Sequence, residues 1–238
     1  MNPLRDLLKA KRPDLFNALE NAWQIAEKDF FPLMTSSDES LNSSLHSKNL
    51  ENYLNSILKP YLQLFDEKSP VFLSPHELYC LLMAILFHDS GRILTGKAHG
   101  YLSKHYIQHN WVKFFIPSEE LADAIGDICE FHKPIEKKPD PPSAIILDAG
   151  DGVVRVWELS AFLVLIDEMD TTYRRLKTLY ALDQVNYLSG KAAFRNYIKS
   201  VTYRHSDQSI IVSIDNKIDT NGKFMGSSSH KKSRPHHF

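Results

Sequence analysis

The 238-residue chain predicts a mainly α-helical bundle with a small β-hairpin near its C-terminal end. Three observations carry this. Apolar residues recur at helical spacing over most of the first 170 positions. Two segments open with helix-start signals, Ser74-Pro75-His76-Glu77 and Ser118-Glu119-Glu120. The clearest pair of short β-prone runs is Val201–Arg204 and Ile210–Ile214, which flank Ser206-Asp207-Gln208.

Pro13 opens a helix over Asp14–Phe30, with Leu15, Leu19, Trp23, Ile25 and Ala26 near one face. Polar residues Thr35–Ser44 form a loop or a helix start, and the next helix runs from about Leu45 to Phe65, disturbed at Pro60. The helix that begins at Ser74 is apolar almost all round, which marks a buried central helix. Gly91 and Gly96 bracket a short loop before a helix carrying His99, Ser103 and His105, and another runs from Ser118 to near His132. Pro134, Pro139, Pro141 and Pro142 give the stretch 133–151 the character of a long irregular loop, of a length that is often functional. Val153–Asp170 reads as a second all-apolar helix, and the Gly-, Ser-, Lys- and His-rich tail from Asn221 as disordered. The expected divisions are an N-terminal helical segment (1–36), the main domain (37–199), the hairpin (200–220) and the tail (221–238).

Composition is that of an ordinary globular chain, 43% hydrophobic and 24% charged, so a full core is expected. The formal net charge of -1 argues against a general nucleic-acid binder, although a local basic patch stays open. No apolar run reaches the roughly 18 residues needed to span a bilayer, and the N-terminus lacks the apolar core of a signal peptide. Cys80 and Cys129 both lie inside apolar helical stretches, so free buried thiols and a cytoplasmic location are expected rather than a disulfide framework.

The chemistry-bearing residues stand at the edges of the apolar segments. His46 lies in Leu45-His46-Ser47, His88-Asp89 closes the run Leu78–Phe87, His132 follows Ile128-Cys129-Glu130-Phe131, and Asp167 closes Ala161–Ile166. A bare carboxylate in a low-dielectric interior costs several kcal/mol unless it is paired or bound to a metal. Two aspartates ending apolar runs, with histidines around them, are therefore most economically explained by a divalent cation. His46, His88, Asp89 and Asp167 are the candidates for a first ion. Mixed imidazole and carboxylate donors suit manganese, iron, zinc or magnesium. Adjacent His88 and Asp89 reach one ion only near a helix end, which Gly91 is expected to provide. His99 and His132 are candidates for a second ion or for contact with a substrate phosphate. Asp170, one turn beyond Asp167, could orient a ligand, sit as surface charge or pair with Arg174. Arg92 and Lys97, in the loop between two candidate ligand segments, are candidates for binding phosphate oxygens. No P-loop, Gly-x-Gly-x-x-Gly or serine or cysteine nucleophile arrangement is present.

The order His46, His88-Asp89, Asp167 resembles the signature of the HD-domain metal-dependent phosphohydrolases, over roughly residues 40–180. His88-Asp89-Ser90-Gly91-Arg92 is similar to the family's His-Asp-x-Gly-Lys/Met stretch, with arginine where many members carry lysine. Leu165-Ile166-Asp167-Glu168-Met169-Asp170 matches a Leu-x-Asp-x-x-Asp ending, and Thr171–Arg175 continues as in some bacterial members. The Glu-Asp pair that some alarmone hydrolases carry after His-Asp is replaced here by Ser90-Gly91-Arg92.

The resemblance implies the HD helical bundle, one or two divalent ions, and hydrolysis of a phosphate ester of a nucleotide or cyclic nucleotide by a metal-activated hydroxide. Asp89, His99 and His132 carry the catalytic roles so implied, with Asp89 bridging the ions in two-metal members and orienting the nucleophile. The expected partner is a small nucleotide, with a homo-oligomer an open possibility. Two other readings stay open at this point: a non-catalytic sensor or interaction module, and a metal-dependent nuclease.

Overall fold

At the centre of the bundle lies α5 (Pro75–Phe87), in which every residue from His76 to Phe87 is buried. The computed structural model describes residues 2–34, 44–59, 65–66, 68, 72–94, 98–132, 145–146, 152–170 and 198–214. The start of α5 is fixed by a reciprocal cap: Glu77 N donates to Ser74 Oγ at 3.1 Å and Ser74 N donates to Glu77 Oε2 at 2.9 Å. Glu77 is buried, and its carboxylate also accepts from the Arg155 backbone N–H (3.1 Å) and Nε (2.7 Å). One side chain thus caps α5 and ties the start of α8 to it.

Around α5 pack α1 (Pro3–Lys11), α2 (Pro13–Ile25), α4 (Ser44–Leu58), α7 (Glu119–Phe131) and α8 (Val156–Met169). The early helix follows the expected course from Pro13 but changes pitch, passing through a π-helical turn, Ala26–Phe30, into the short α3 (Phe31–Met34). Helix α1 sharpens the expectation of a helical N-terminal segment. Asn2 caps it through Arg5 N, Pro3 fills its first turn, and Leu4 and Leu8 are buried one turn apart. Helix α4 is described over Ser44–Leu58, and the expected continuation towards Phe65, with the disturbance at Pro60, falls on residues 60–64, which lie outside the described residues.

The chain leaves α5 through His88 and a 3-10 turn, Ser90–Ile93, then enters α6 (His99–Asn110). Gly91 does not end α5, which closes at Phe87. Its lack of a side chain serves a close approach instead, because a Cβ there would lie 2.2 Å from the His99 carbonyl oxygen and 2.8 Å from Ser103 N. Ser103 completes the junction, donating to the His88 carbonyl (2.7 Å) and accepting from Gly91 N (2.8 Å).

Of the long loop expected over 133–151, only Ile145 and Ile146 are among the described residues, and they form a strand. β1 (Ile145–Ile146) pairs antiparallel with β2 (Val153–Val154), in the register Ile145↔Val154. Val153 and Val154 are therefore strand, and α8 starts three residues later than its apolar pattern suggests. Gly152 at φ 107° and the grip of Glu77 on the Arg155 N–H account for that break. Nor is α8 buried all round, since Trp157 is 58% exposed. The hairpin forms as expected from β3 (Ile198–Arg204) and β4 (Ser209–Ile214), with Val201 opposite Val212. It leans on α4 through β3, where Ile198 and Val201 are buried.

Cys80 and Cys129 are free and buried, and burial pushes both thiols above their usual range, which makes them inert packing groups. Among the described residues no helix is long and apolar enough to cross a membrane. The tail from Asn221 lies outside the described residues.

Candidate metal centre

His46, His99, His132 and Asp167 reach the interior because each continues the buried stripe of its helix, while His88 and Asp89 follow the buried end of α5. On α4, His46 shares a row at four-residue spacing with Leu50, Leu54 and Leu58, all buried. On α7 the buried Leu121, Ile125 and Ile128 lead to His132 at the helix end. On α8 the stripe Val156, Leu159, Leu163 runs on into Asp167 and Asp170. On α6 the row is His99, Ser103, Ile107. Registers set by the burial of leucine and isoleucine therefore aim polar groups inward.

Six of the sequence candidates come together: His46, His88, Asp89, His99, His132 and Asp167, each no more than 5% exposed. His46 Nε2 lies 3.2 Å from His88 Nε2 and 3.3 Å from Asp167 Oδ1. Asp89 Oδ2 faces His88 Nε2 at 3.6 Å and His46 Nε2 at 4.0 Å. Asp89 Oδ1 faces the other half of the cluster, 3.3 Å from His99 Nε2, which is itself 3.3 Å from His132 Nε2. Donor atoms of His46, His88 and Asp167 all lie within 4.8 Å of one another, as do those of His88, Asp89 and His132. Ligands at about 2.1 Å from a tetrahedral ion are separated by about 3.4 Å, so the spacing suits a divalent cation.

Proton positions support the same reading. His46 Nδ1 faces Asp170 Oδ2 at 2.6 Å, and His88 Nδ1 faces the Ile85 carbonyl at 3.1 Å. Both partners accept, so each Nδ1 donates, and a ring that carries no second proton turns a lone pair outward from Nε2. Two lone pairs meeting at 3.2 Å repel unless a cation or a shared proton lies between them. The His132 ring is oriented in the same way, its Nδ1 donating to the Cys129 carbonyl. Burial raises the Asp89 carboxyl, but the positive charge that the His88 and His46 side carries as protons when no ion is bound, together with that of Arg92, outweighs it and holds the group well below the usual carboxylate range. Asp89 is therefore an anion inside the core. The residues present fit a divalent ion.

Asp170 is not surface charge: it orients a candidate ligand, while Arg174, its other expected partner, lies outside the described residues. It is fully buried, accepts from His46 Nδ1, and also accepts from Asn49 Nδ2 at 3.2 Å. A carboxylate in that position fixes the imidazole tautomer and raises its basicity towards a metal. Asp170→Asn keeps the shape but removes the charge, and should weaken metal affinity roughly 10–100-fold. Titration of the metal-stripped variant with manganese checks this; an affinity equal to that of the unaltered protein would remove Asp170 from the centre. The sequence clue was its three-residue offset from Asp167, which places both on one helix face.

Arg92 lies at the cluster, its Nε donating to Asp89 Oδ1 at 2.6 Å. That contact is with a candidate ligand, where the sequence reading assigned Arg92 to phosphate. Lys97, Arg174 and Arg175 lie outside the described residues. Glu168 is exposed, as its helical phase requires. His76 makes a separate half-buried contact with Arg12 Nη1, and His205 contacts the Ser56 carbonyl.

Comparison with known proteins gives one family. The HD-CE family matches residues 31–221, most of the chain. No curated protein and no solved structure matches it.

Proposed function

The chain belongs to the HD-CE family, and from that premise we propose that it is a metal-dependent phosphohydrolase acting on a phosphate ester of a nucleotide or cyclic nucleotide. The observation that carries the reading is the buried convergence of two aspartates and four imidazoles from distant parts of the chain. His46, His88, Asp89 and Asp167 would hold the ion. A divalent ion bound by these residues polarises a phosphoryl oxygen and lowers the pKa of water.

The protein's own groups supply the rest. Asp170 keeps the proton of His46 on Nδ1, so that Nε2 stays a donor to the ion. Asp89 remains ionised and presents both carboxylate oxygens inside the cluster. His99 and His132 stand on the Oδ1 side of Asp89, where an Nε2 that carries a proton would donate to a phosphate oxygen as charge develops. With all six groups buried, bulk water screens their fields little.

The test is a panel assay on protein of measured metal content. Nucleotides, cyclic mono- and dinucleotides and single-stranded nucleic acid are offered with manganese, magnesium, zinc or iron(II). Release of phosphate or ring opening of a nucleotide, lost on chelation and restored by metal, is expected. Metal-loaded protein inert to the whole panel would overturn the hydrolase reading in favour of an interaction module. Cleavage of single-stranded nucleic acid alone would replace the nucleotide substrate with a nuclease one.

A further inference from the structure

We propose that Arg92 limits this centre to one tightly held divalent ion, its guanidinium occupying the oxygen of Asp89 through which the carboxylate could bridge to a second. The inference rests on the metal reading above and specifies how many ions the centre takes. Two observations carry it.

The first is the position of the guanidinium. Arg92 Nε donates to Asp89 Oδ1 at 2.6 Å, and the same oxygen lies 3.3 Å from His99 Nε2. Any ion shared by Asp89 Oδ1 and His99 would have to sit beside that group. Guanidinium stays protonated throughout the physiological range, so its charge at this point is permanent. The backbone holds it there: Arg92 N donates to the Asp89 carbonyl at 2.9 Å and Leu94 N to that of Gly91 at 3.1 Å, closing the 3-10 turn that brings residue 92 over residue 89. The Arg92 side chain is 20% exposed, so its charge is only partly screened.

The second is that the two candidate triads compete. His46, His88 and Asp167 form one, His88, Asp89 and His132 the other, and both need His88. His88 has already committed Nδ1 to the Ile85 carbonyl, leaving a single lone pair on Nε2 for a single ion. With His88 taken by the first ion, a second would depend on Asp89 Oδ1, His99 and His132, which is where Arg92 stands. An arginine at this point therefore acts as a fixed internal cation in place of a second metal, and leaves His99 and His132 facing the substrate.

The experiment counts ions. Metal-stripped protein is titrated calorimetrically with manganese, and bound metal is measured by elemental analysis after gel filtration. The unaltered protein should bind one ion per chain. Arg92→Gln and Arg92→Met each remove the charge while keeping much of the side-chain length, so failure of one to fold leaves the other. Both should bind two. Arg92→Lys should stay at one, and the double variant Arg92→Gln/His99→Ala should return to one. Two ions in the unaltered protein, or one in every variant, would overturn the role of Arg92 and leave the hydrolase reading standing. No tightly bound ion in any of them would overturn the metal reading and this inference together.

Discussion

Asp89→Ala loses bound metal and turnover together. The two oxygens of Asp89 face both halves of the cluster, Oδ2 towards His46 and His88 and Oδ1 towards His99. Removing it takes away a ligand and the negative charge that makes cation binding favourable in a buried site. A metal contributes several kcal/mol of transition-state stabilisation, so turnover should fall by roughly 10³-fold or more. Stability should report the same loss. An ion at a hundred times its dissociation constant stabilises the folded state by about 2.7 kcal/mol, equivalent to a rise in Tm of roughly 5–10 °C for a chain of this size. Adding manganese to the metal-stripped unaltered protein should produce that rise, and adding it to Asp89→Ala should produce none. Full occupancy in the variant, by elemental analysis, would remove Asp89 from the ligand set.

Gly91→Ala is expected to be the most destabilising of the small substitutions. Its Cβ would meet the His99 carbonyl oxygen at 2.2 Å, Leu102 Cβ at 2.8 Å and Ser103 N at 2.8 Å. Two of those three are backbone atoms in the first turns of α6, so no side-chain rotation relieves the clash. The helix must move away, taking His99 from Asp89 and breaking the Ser103 bridge between the His88 carbonyl and Gly91 N. Overpacking costs about 1–3 kcal/mol, and an unsatisfied buried group adds a comparable amount. A fall in Tm of roughly 6–12 °C follows for a cost of about 3 kcal/mol, together with weaker metal binding. A Tm unchanged within experimental error would show that α6 is not held against the 3-10 turn as tightly as the geometry requires.

Much of the bundle was legible because its helices announce themselves locally. The capping box at Ser74 and Glu77 and the cap at Ser118 set two helix starts to the residue. Failures occurred where a non-local contact overrode a local pattern. Val153 and Val154 continue the apolar run of α8, but pairing with β1 and the hold of Glu77 on Arg155, 78 residues away, pull them into a strand. Gly91 was correctly singled out for the wrong reason: chain termination is a local property, whereas the close approach of α6 is a tertiary one.

The candidate site divides in the same way. Residue type, position at the edge of an apolar segment and the His, His-Asp, Asp order were sufficient to nominate His46, His88, Asp89, His99, His132 and Asp167, because a carboxylate ending an apolar run needs a partner once buried. Which oxygen of Asp89 faces which imidazole, that Asp170 orients His46, and that Arg92 pairs with Asp89 depend on the packing of α4, α6 and α8 around α5. Helical periodicity fixes the face on which a side chain stands, and so the sequence by itself determined the helical class and the buried faces and nominated the candidate donors. Distances of 2.6 to 4.0 Å between residues separated by up to 124 positions arise only when the helices dock, and the tertiary structure alone decided them.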